Sequence, residues 1–434
     1  MITIFLTLGF SISLQSLLAA WTAPSSNPPT NNIADLNLGG GLSVAKNTLI
    51  MGNLLVASTT NALYANSVTG NVGIGTKTPM AKLDVVGDIL VNNVTIGKGG
   101  GSFNTNTAVG EYALKSNTTG SGNTANGSAA LSFNTSGSNN TANGGQALRN
   151  NTTGIYNTAN GVLALRENIS GRNNTANGVV ALGRNTSGSQ NTANGVFSLY
   201  NNNGNYNTAN GYYSLYSNAA GSNNTANGYY SLLYNTNGSY NTANGTYALY
   251  STTGSFNTAI GQAAGYLNTT GSNNIAMGYG ANLPSNTGSN QVRIGNTAIT
   301  YAGIQVPWTT TSDRRLKDDI QNVPLGIDFI KELRPVDYFR KNDAGKKRET
   351  GLIAQEVDEV LEKFGYKSAG MIAKDDNGYY SLRYNDFVAP IIKSIQEIST
   401  TTDSMLERIK KLENENDSLV KLVCLDHPTA KICQ

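Results

Sequence analysis

The stretch Asn157-Thr-Ala-Asn-Gly161, continued by Val162-Leu-Ala-Leu165, decides how most of this chain folds. Its Asn-Thr-Ala-x-Gly motif, or a close variant, occurs eleven times in the 434 residues, with steps of 17 residues and two steps of 16. A strict period of this length indicates stacked repeats, because one such unit cannot bury a core alone. The copies begin at Asn106, Asn123, Asn140, Asn157, Asn174, Asn191, Asn207, Asn224, Asn241, Asn257 and Asn274.

The residue types within each unit favour strands and turns over helices. Gly recurs in every unit, and Asn-Gly and Thr-Gly pairs are typical of turns. From Ala159 to Leu165 we expect side chains to alternate as in a strand, which puts apolar residues on both faces. We therefore predict a mainly β fold with a trimeric β-roll or β-solenoid stalk, whose second apolar face packs against other chains. The repeated Asn side chains are expected to hydrogen-bond from coil to coil.

Charge is scarce in this sequence, and its absence excludes several functions. Charged residues make up 13% of the chain, about half the usual share, and none occurs from Asn185 to Asn290. Nucleic-acid binding by the repeats is excluded, because phosphate recognition needs clustered Lys and Arg. The repeats contain only two acids, Glu111 and Glu167, which disfavours a glycan-degrading spike. With His427 as the single histidine, we predict no Ser-His-Asp triad, metal site or cofactor.

Tyrosines are concentrated in the later repeats. An exposed tyrosine row could bind a cell-surface glycan, since the ring is apolar and its hydroxyl forms hydrogen bonds. Equivalent positions of earlier repeats hold Val or Leu, which favours packing positions that tolerate Tyr. The expected partners are therefore two further copies of the chain, with a glycan or protein receptor left open. The tyrosines are Tyr212, Tyr213, Tyr216, Tyr229, Tyr230, Tyr234, Tyr247 and Tyr250.

The N-terminal segment resembles a secretory signal peptide over residues 1–23. An apolar run ends in small residues, with cleavage expected near Ala20 or Ala23. No Lys or Arg lies near Met1, so an uncleaved membrane anchor is the alternative. The following regions are a Pro-containing linker (24–35), a short β module (36–100), the repeat array (101–280) and a closing β segment (281–310) with strands at 291–295 and 301–305.

Charged residues return after Thr311, where a globular sequence begins. Over residues 311–389 we expect a helix or helix pair at 320–333 interrupted by Pro324, a strand at 336–340, and a helix ending near Phe364. Residues 381–388 are predicted to be a strand or turn that leads into the last helix.

The last helix, over residues 390–423, has the three-and-four spacing of a coiled coil. Thr402 and Asn416 interrupt the apolar row and are expected to fix its register. The alternative is an amphipathic helix packed on its own domain. The row comprises Ile391, Ile395, Ile398, Thr402, Met405, Ile409, Leu412, Asn416, Leu419 and Val423.

Residues 424–434 form a tail with both cysteines of the chain, Cys424 and Cys433. In an exported protein they could pair locally or cross-link neighbouring chains, and two free thiols are the alternative.

Ser312 and Lys317 lie at the boundary between the repeats and the globular region. A hydroxyl and an amine at this spacing can act as nucleophile and general base, provided that the lysine is uncharged, a form that burial favours. The alternative is that Ser312 caps a helix with Asp313 in its first turn, which leaves Lys317 as a surface charge.

Residues from about Thr311 to Val423 resemble the self-cleaving intramolecular chaperone domain of phage tail spikes, endosialidases and tail fibres. Four motifs carry the resemblance: Ser312-Asp-x-Arg-Leu-Lys317, Leu333-Arg-Pro-Val336, Gly351-Leu-Ile-Ala-Gln-Glu-Val357 and Tyr384-Asn385. The repeats before them resemble the head repeats of trimeric autotransporter adhesins, although the period and the second Asn differ.

The resemblance implies a small α+β chaperone domain that trimerises the chain and then cleaves the bond between Thr311 and Ser312. Ser312 would be the nucleophile and Lys317 the general base of a single-turnover serine endopeptidase. The alternative function is a structural adhesin whose terminal domain trimerises without cutting. The signal-like segment favours a secreted or cell-surface protein over a virion tail fibre.

Overall fold

The computed structural model describes residues 54–56, 63–66, 68–101, 105–306, 308–341, 343, 345–366 and 370–433. The predicted signal peptide, the linker and the beginning of the β module lie outside these residues. The chain divides into two compact units, one ending at Ile89 and one beginning at Leu90.

The first unit contains a small sheet with the order β1-β2-β3-β4. The first three strands pair antiparallel, whereas β3 and β4 pair in parallel. The Asn66 side chain accepts hydrogen bonds from the N–H groups of Val68 and Thr69 and closes the turn before β3. The strands are β1 (Leu54–Val56), β2 (Leu63–Ala65), β3 (Val72–Ile74) and β4 (Leu83–Val85).

The repeats form a β-solenoid, as the sequence predicts. Its three-residue strands pair in parallel and in register, so that Ala159 faces Ala142 on one side and Ala176 on the other. The strand β5 (Ile89–Val91) and the strand β6 (Val94–Gly97) precede the stack, and β6 pairs antiparallel with its first strand. The stack consists of β7 (Thr107–Gly110), then β8 to β17 at Thr124–Asn126, Thr141–Asn143, Thr158–Asn160, Thr175–Asn177, Thr192–Asn194, Thr208–Asn210, Thr225–Asn227, Thr242–Asn244, Thr258–Ile260 and Ile275–Met277, and finally β18 (Val292–Ile294).

The predicted alternation of side chains beyond Asn160 is wrong. Ala164 and Leu165 are adjacent in sequence and both fully buried, whereas Val162 is exposed. Leu163 and Leu165 adopt left-handed backbone conformations, with φ of 61° and 50°, and the chain turns there instead of extending. The two-sided strand that motivated packing of the stalk against other chains is therefore absent, and the trimer remains a prediction on other grounds.

Hydrogen bonds between coils compensate for these left-handed leucines, which are unfavourable for a side chain of this type. The Leu163 N–H donates to the carbonyl of Gly145 in the preceding coil at 2.9 Å. The Leu165 N–H donates to the carbonyl of Ala181 in the following coil, also at 2.9 Å. Alternate N–H groups thus donate to opposite neighbouring coils, as in a central strand of a sheet, although the backbone here is not extended.

The first Asn of each motif is buried and connects successive coils, as predicted. Asn157 donates its side-chain amide to the Gly171 carbonyl at 2.8 Å. Its Oδ1 accepts the backbone N–H of Asn174 at 3.0 Å. The side-chain amide of Asn157 is therefore satisfied, which matters because an unpaired buried amide costs about 1–3 kcal/mol.

Two further asparagine ladders run along the stack. Asn168 donates to the side chain of Asn151 at 2.7 Å within the interior, and Asn160 donates to that of Asn177 at 2.8 Å along the strands. The interior ladder is interrupted at Thr252, which occupies the Asn position of its coil. Among the described residues, the Oδ1 of Asn235 is consequently buried without a hydrogen-bond partner.

Thr252→Asn is expected to stabilise the stalk by about 1 kcal/mol, because the new amide gives Asn235 its missing donor. Asn268, which now donates to the Thr252 hydroxyl at 2.9 Å, retains an acceptor. Thermal or denaturant unfolding of the full chain measures the change. Ser251→Asn is the control, since Asn201 already occupies that position in another coil. A destabilised Thr252→Asn variant would contradict the ladder argument.

The stack continues one coil beyond the eleven motifs. Gln291 replaces the ladder Asn: its N–H donates to the Asn274 side chain at 2.8 Å, and its own amide donates to Gly288 at 2.7 Å. This confirms the predicted strand near Val292. The second predicted strand, at residues 301–305, does not form.

The region after the stalk combines helices with two antiparallel hairpins, β19–β20 and β21–β22. Its elements are α1 (Ile327–Glu332), β19 (Val336–Phe339), β20 (Arg348–Gly351), α2 (Ala354–Lys363), β21 (Ile372–Lys374), β22 (Tyr380–Leu382) and the 39-residue helix α3 (Val388–Asp426). Its core consists of Leu325, Phe329, Val357, Val360, Leu361, Met371 and Phe387.

The helix predicted at 320–333 is shorter than expected. Pro324 lacks an N–H and disfavours a helical residue before it, so α1 begins only at Ile327. A carboxylate from α3 caps this start, because the Ile327 N–H donates to Glu397 at 2.7 Å. Lys393, also on α3, donates from its ammonium to the Val323 carbonyl at 2.9 Å. These contacts fix the base of α3 on α1.

One remaining sequence prediction concerns the cysteines of the C-terminal tail. Cys424 is disulfide-bonded in this structure. Within the described ranges, no helix has the length and apolar character needed to cross a membrane.

Candidate functional site

Ser312 and Lys317 are in direct contact at the boundary after the stalk. The Lys317 ammonium donates to the Ser312 Oγ at 2.6 Å. A short 3-10 turn, Arg314–Leu316, lies between them, and the Lys317 N–H closes it by donating to the Arg314 carbonyl at 3.1 Å. The turn folds the chain back, so that side chains five residues apart meet.

Asp313 caps this turn, not Ser312 as the alternative interpretation expected. The Asp313 carboxylate accepts the Arg315 N–H at 2.8 Å and pairs with the Arg315 guanidinium at 2.7 Å. The guanidinium hydrogen bond, followed by the backbone one, holds the pKa of Asp313 below its usual value. The Asp313 carboxylate is thus an anion paired with Arg315, and the Ser312 hydroxyl binds Lys317 instead.

The pair is exposed in the single chain, and two large exposed apolar side chains lie near it in sequence. Thr311, Ser312 and Lys317 are all exposed. Trp308 and Leu316 nearby in sequence are 78% and 75% exposed. Large apolar side chains this accessible on both sides of one bond are typical of a surface that a partner covers.

The other motifs of the chaperone resemblance hold the domain together. Arg334 forms a two-pronged ion pair with Glu356, which ties the segment after α1 to the first turn of α2. The Tyr384 hydroxyl accepts the Leu352 N–H at 3.0 Å, so the fourth motif supports the third. Sequence reasoning gave these residues no structural role, and the spacing within each motif carried no signal of these long-range contacts.

The Arg334–Glu356 pair also gives the domain a dependence on acid. The hydrogen bond from Arg334 lowers the pKa of Glu356. A carboxylate whose pKa is lowered on folding stabilises the fold at pH values above its ordinary pKa. This contribution disappears as the pH falls through the pKa of the folded state. Because the pair is exposed, its contribution is small.

The helix α3 exposes the predicted apolar row. Only Pro390 and Ser394 of this helix are buried, both near its start. Thr402 donates its hydroxyl to the Ile398 carbonyl of its own helix, so it needs no partner from another chain. Every other large apolar member of the row is about half exposed or more: Ile391, Ile395, Ile398, Met405, Ile409, Leu412, Leu419 and Val423.

The tyrosines of the late repeats form a continuous stacked surface. Tyr212 and Tyr229 lie with ring centroids 5.4 Å apart and planes within 8°, and Tyr200 and Tyr216 are similarly stacked. Burial, then a hydrogen bond with Tyr234, raises the pKa of Tyr250 to about 12, so this hydroxyl stays neutral. Much of each ring face contacts the next ring, which favours the packing interpretation. Glycan binding here remains a prediction.

Comparison with known proteins addresses the region after the stalk. Residues 312–366 match the family model described as chaperone of endosialidase. The match begins at Ser312 and includes the second and third motifs, whereas Tyr384 lies beyond it. No curated protein and no solved structure matches the chain. Behind a β-solenoid of repeats, this chain therefore carries a region similar to the chaperone domain of endosialidases.

Proposed function

We propose that this protein is a trimeric fibre whose terminal domain assembles three chains and then cleaves itself off between Thr311 and Ser312. The observation that carries the proposal is the contact of Lys317 with the hydroxyl of Ser312, the residue that directly follows the bond to be cut. The family match that begins at Ser312 supports it. The fibre would act at a cell surface after export or, alternatively, in a virion tail.

The chemistry requires one water molecule and no cofactor. Ser312 Oγ attacks the carbonyl carbon of Thr311 while Lys317, as a neutral amine, accepts the hydroxyl proton. The C–N bond then breaks, Lys317 returns the proton to the Ser312 nitrogen, and Thr311 is held as an ester on Oγ. Water hydrolyses this ester, which leaves a carboxylate on Thr311 and a free hydroxyl on Ser312.

Assembly provides the switch in this proposal. A lysine in water is charged at neutral pH and cannot accept a proton. Burial disfavours the charged form, and the exposed Trp308 and Leu316 supply apolar surface that neighbouring chains would cover. The α3 row would bring those chains together as a parallel coiled coil.

The direct test follows refolding of the wild-type chain over a range of concentrations. We expect a fragment of residues 312–434 on a denaturing gel, and a rate that rises with chain concentration because trimer formation precedes cutting. A stable trimer that never splits would support the structural adhesin instead. A rate independent of concentration in the range where the chain is monomeric would contradict the assembly switch.

A further inference from the structure

The last coil of a solenoid leaves backbone groups without a following coil to bind them. Along this stalk, one row of such N–H groups belongs to the residues that directly follow the interior ladder asparagines, as Ile169 follows Asn168. Ile169 donates its N–H to the Thr186 carbonyl at 2.9 Å, and Thr269 donates to the Asn286 carbonyl at 2.7 Å. Asn286 is the last member of this row, because the short coil that begins at Gln291 provides no backbone carbonyl for its N–H.

A carboxylate from the terminal domain takes the place of this missing carbonyl. The Asn286 N–H donates to Asp376 Oδ2 at 2.6 Å. In return, the Asp376 N–H donates to the Pro284 carbonyl at 2.9 Å. The two residues are 90 positions apart and lie on opposite sides of the bond between Thr311 and Ser312.

The turn that presents Asp376 is held by its own domain. Asp375 Oδ1 accepts the N–H groups of Asn377 and Tyr379 at 3.0 and 2.8 Å. Gly378 has a φ of 84°, a left-handed conformation that a side chain would strain. The hairpin β21–β22 flanks the turn. Asp376 is therefore fixed before it meets the stalk, and little ordering is needed on contact.

We infer that the turn of residues 375–378 is an end cap for the solenoid, and that its binding partner is the last complete coil of the same chain's stalk. The carboxylate of Asp376 substitutes for the carbonyl that the next coil would provide. The cap goes beyond the proposed function and does not depend on cleavage. It also bridges the two products of cleavage, so cutting the bond after Thr311 leaves them joined by this contact.

Hydrogen exchange at the backbone amide of Asn286 tests the cap directly. The variants are made in a Ser312→Ala background, which keeps the chain in one piece. Asp376→Ala is expected to accelerate this exchange about tenfold. This factor is at the lower end of the range for a hydrogen bond to a charged group, because the site is exposed. Asp376→Asn keeps an acceptor of the same shape, and we expect an acceleration of about threefold. Mass spectrometry with residue-level fragmentation measures both rates.

Two controls separate the cap from general damage. Asn377→Ala alters the same turn at an exposed side chain and should leave the Asn286 rate unchanged. The Thr269 amide, bonded within the stalk, should exchange equally in all variants if the solenoid is intact. An unchanged Asn286 rate in Asp376→Ala, or equal acceleration in Asn377→Ala, would overturn the inference. If Asp376→Ala does not fold, an Asp376→Asn rate equal to that of the parent overturns it.

Discussion

Replacing Ser312 with alanine is expected to leave one full-length chain under conditions in which the wild type yields residues 312–434. Alanine has no atom that can attack the Thr311 carbonyl, so the acyl transfer cannot start. The fold should survive, because the hydroxyl is exposed and its described hydrogen bond is the one from Lys317. Gel electrophoresis of refolded chains, with mass spectrometry of any fragment, measures the outcome.

Lys317→Arg is the companion variant to Ser312→Ala. Arginine keeps the positive charge and the length needed to reach Ser312 but does not release its proton in proteins. We expect cleavage to slow by about a hundredfold to ten-thousandfold, the range for loss of a general base. Lys331→Arg, on the exposed side of α1, is the matched control and should cut normally. Cleavage of Ser312→Ala or of Lys317→Arg at the wild-type rate would exclude the proposed mechanism.

Ile409→Asp is expected to convert the trimer to monomer and to abolish cleavage with it. Ile409 lies midway along the exposed row of α3, and three copies would meet in a coiled coil. Loss of three buried isoleucines costs about 6 kcal/mol per trimer, before the cost of placing three carboxylates in an apolar core. Analytical ultracentrifugation measures the oligomeric state, and the same samples on a gel give the extent of cutting.

The control for Ile409→Asp is Lys410→Asp, which introduces the same side chain one residue outside the row. It should remain trimeric and cut normally. The Lys317 contact to Ser312 lies far along the chain from Ile409, so Ile409→Asp leaves the chemical groups in place and removes only assembly. A monomeric Ile409→Asp chain that still cuts would show that Lys317 becomes a base without burial between chains.

The sequence predicts the stalk well where the repeat itself carries the information. The period, the buried Asn157 position and the in-register stacking follow from eleven copies of one motif. The path of each coil does not follow from it. Leu163 and Leu165 are poor residues for left-handed conformations, and only the hydrogen bonds to the neighbouring coils make those conformations favourable. Local propensity therefore predicts an extended strand where the stack makes a turn.

The candidate site divides in the same way. The spacing of Ser312 and Lys317 and the family motifs point to the pair, and the structure brings the two side chains together. The capping role of Asp313 differs from the alternative interpretation, in which Ser312 was the cap: the Asp313 carboxylate accepts the Arg315 N–H, and the Ser312 hydroxyl binds Lys317 instead. The contacts of Glu397 and Asp376 join residues 70 and 90 positions apart, and no pattern in one sequence reveals such pairs.

The asparagine ladders determine how the stalk responds to its surroundings. Amide groups do not titrate, and the coils from Asn185 to Asn290 carry no Lys, Arg, Asp or Glu whose attraction dissolved ions could screen. The spacing of about 4.8 Å between coils rests on neutral dipoles. Acid or salt that would loosen a charge-paired fibre should leave these coils at the same spacing, so we expect the length of this part of the stalk to be independent of pH and ionic strength.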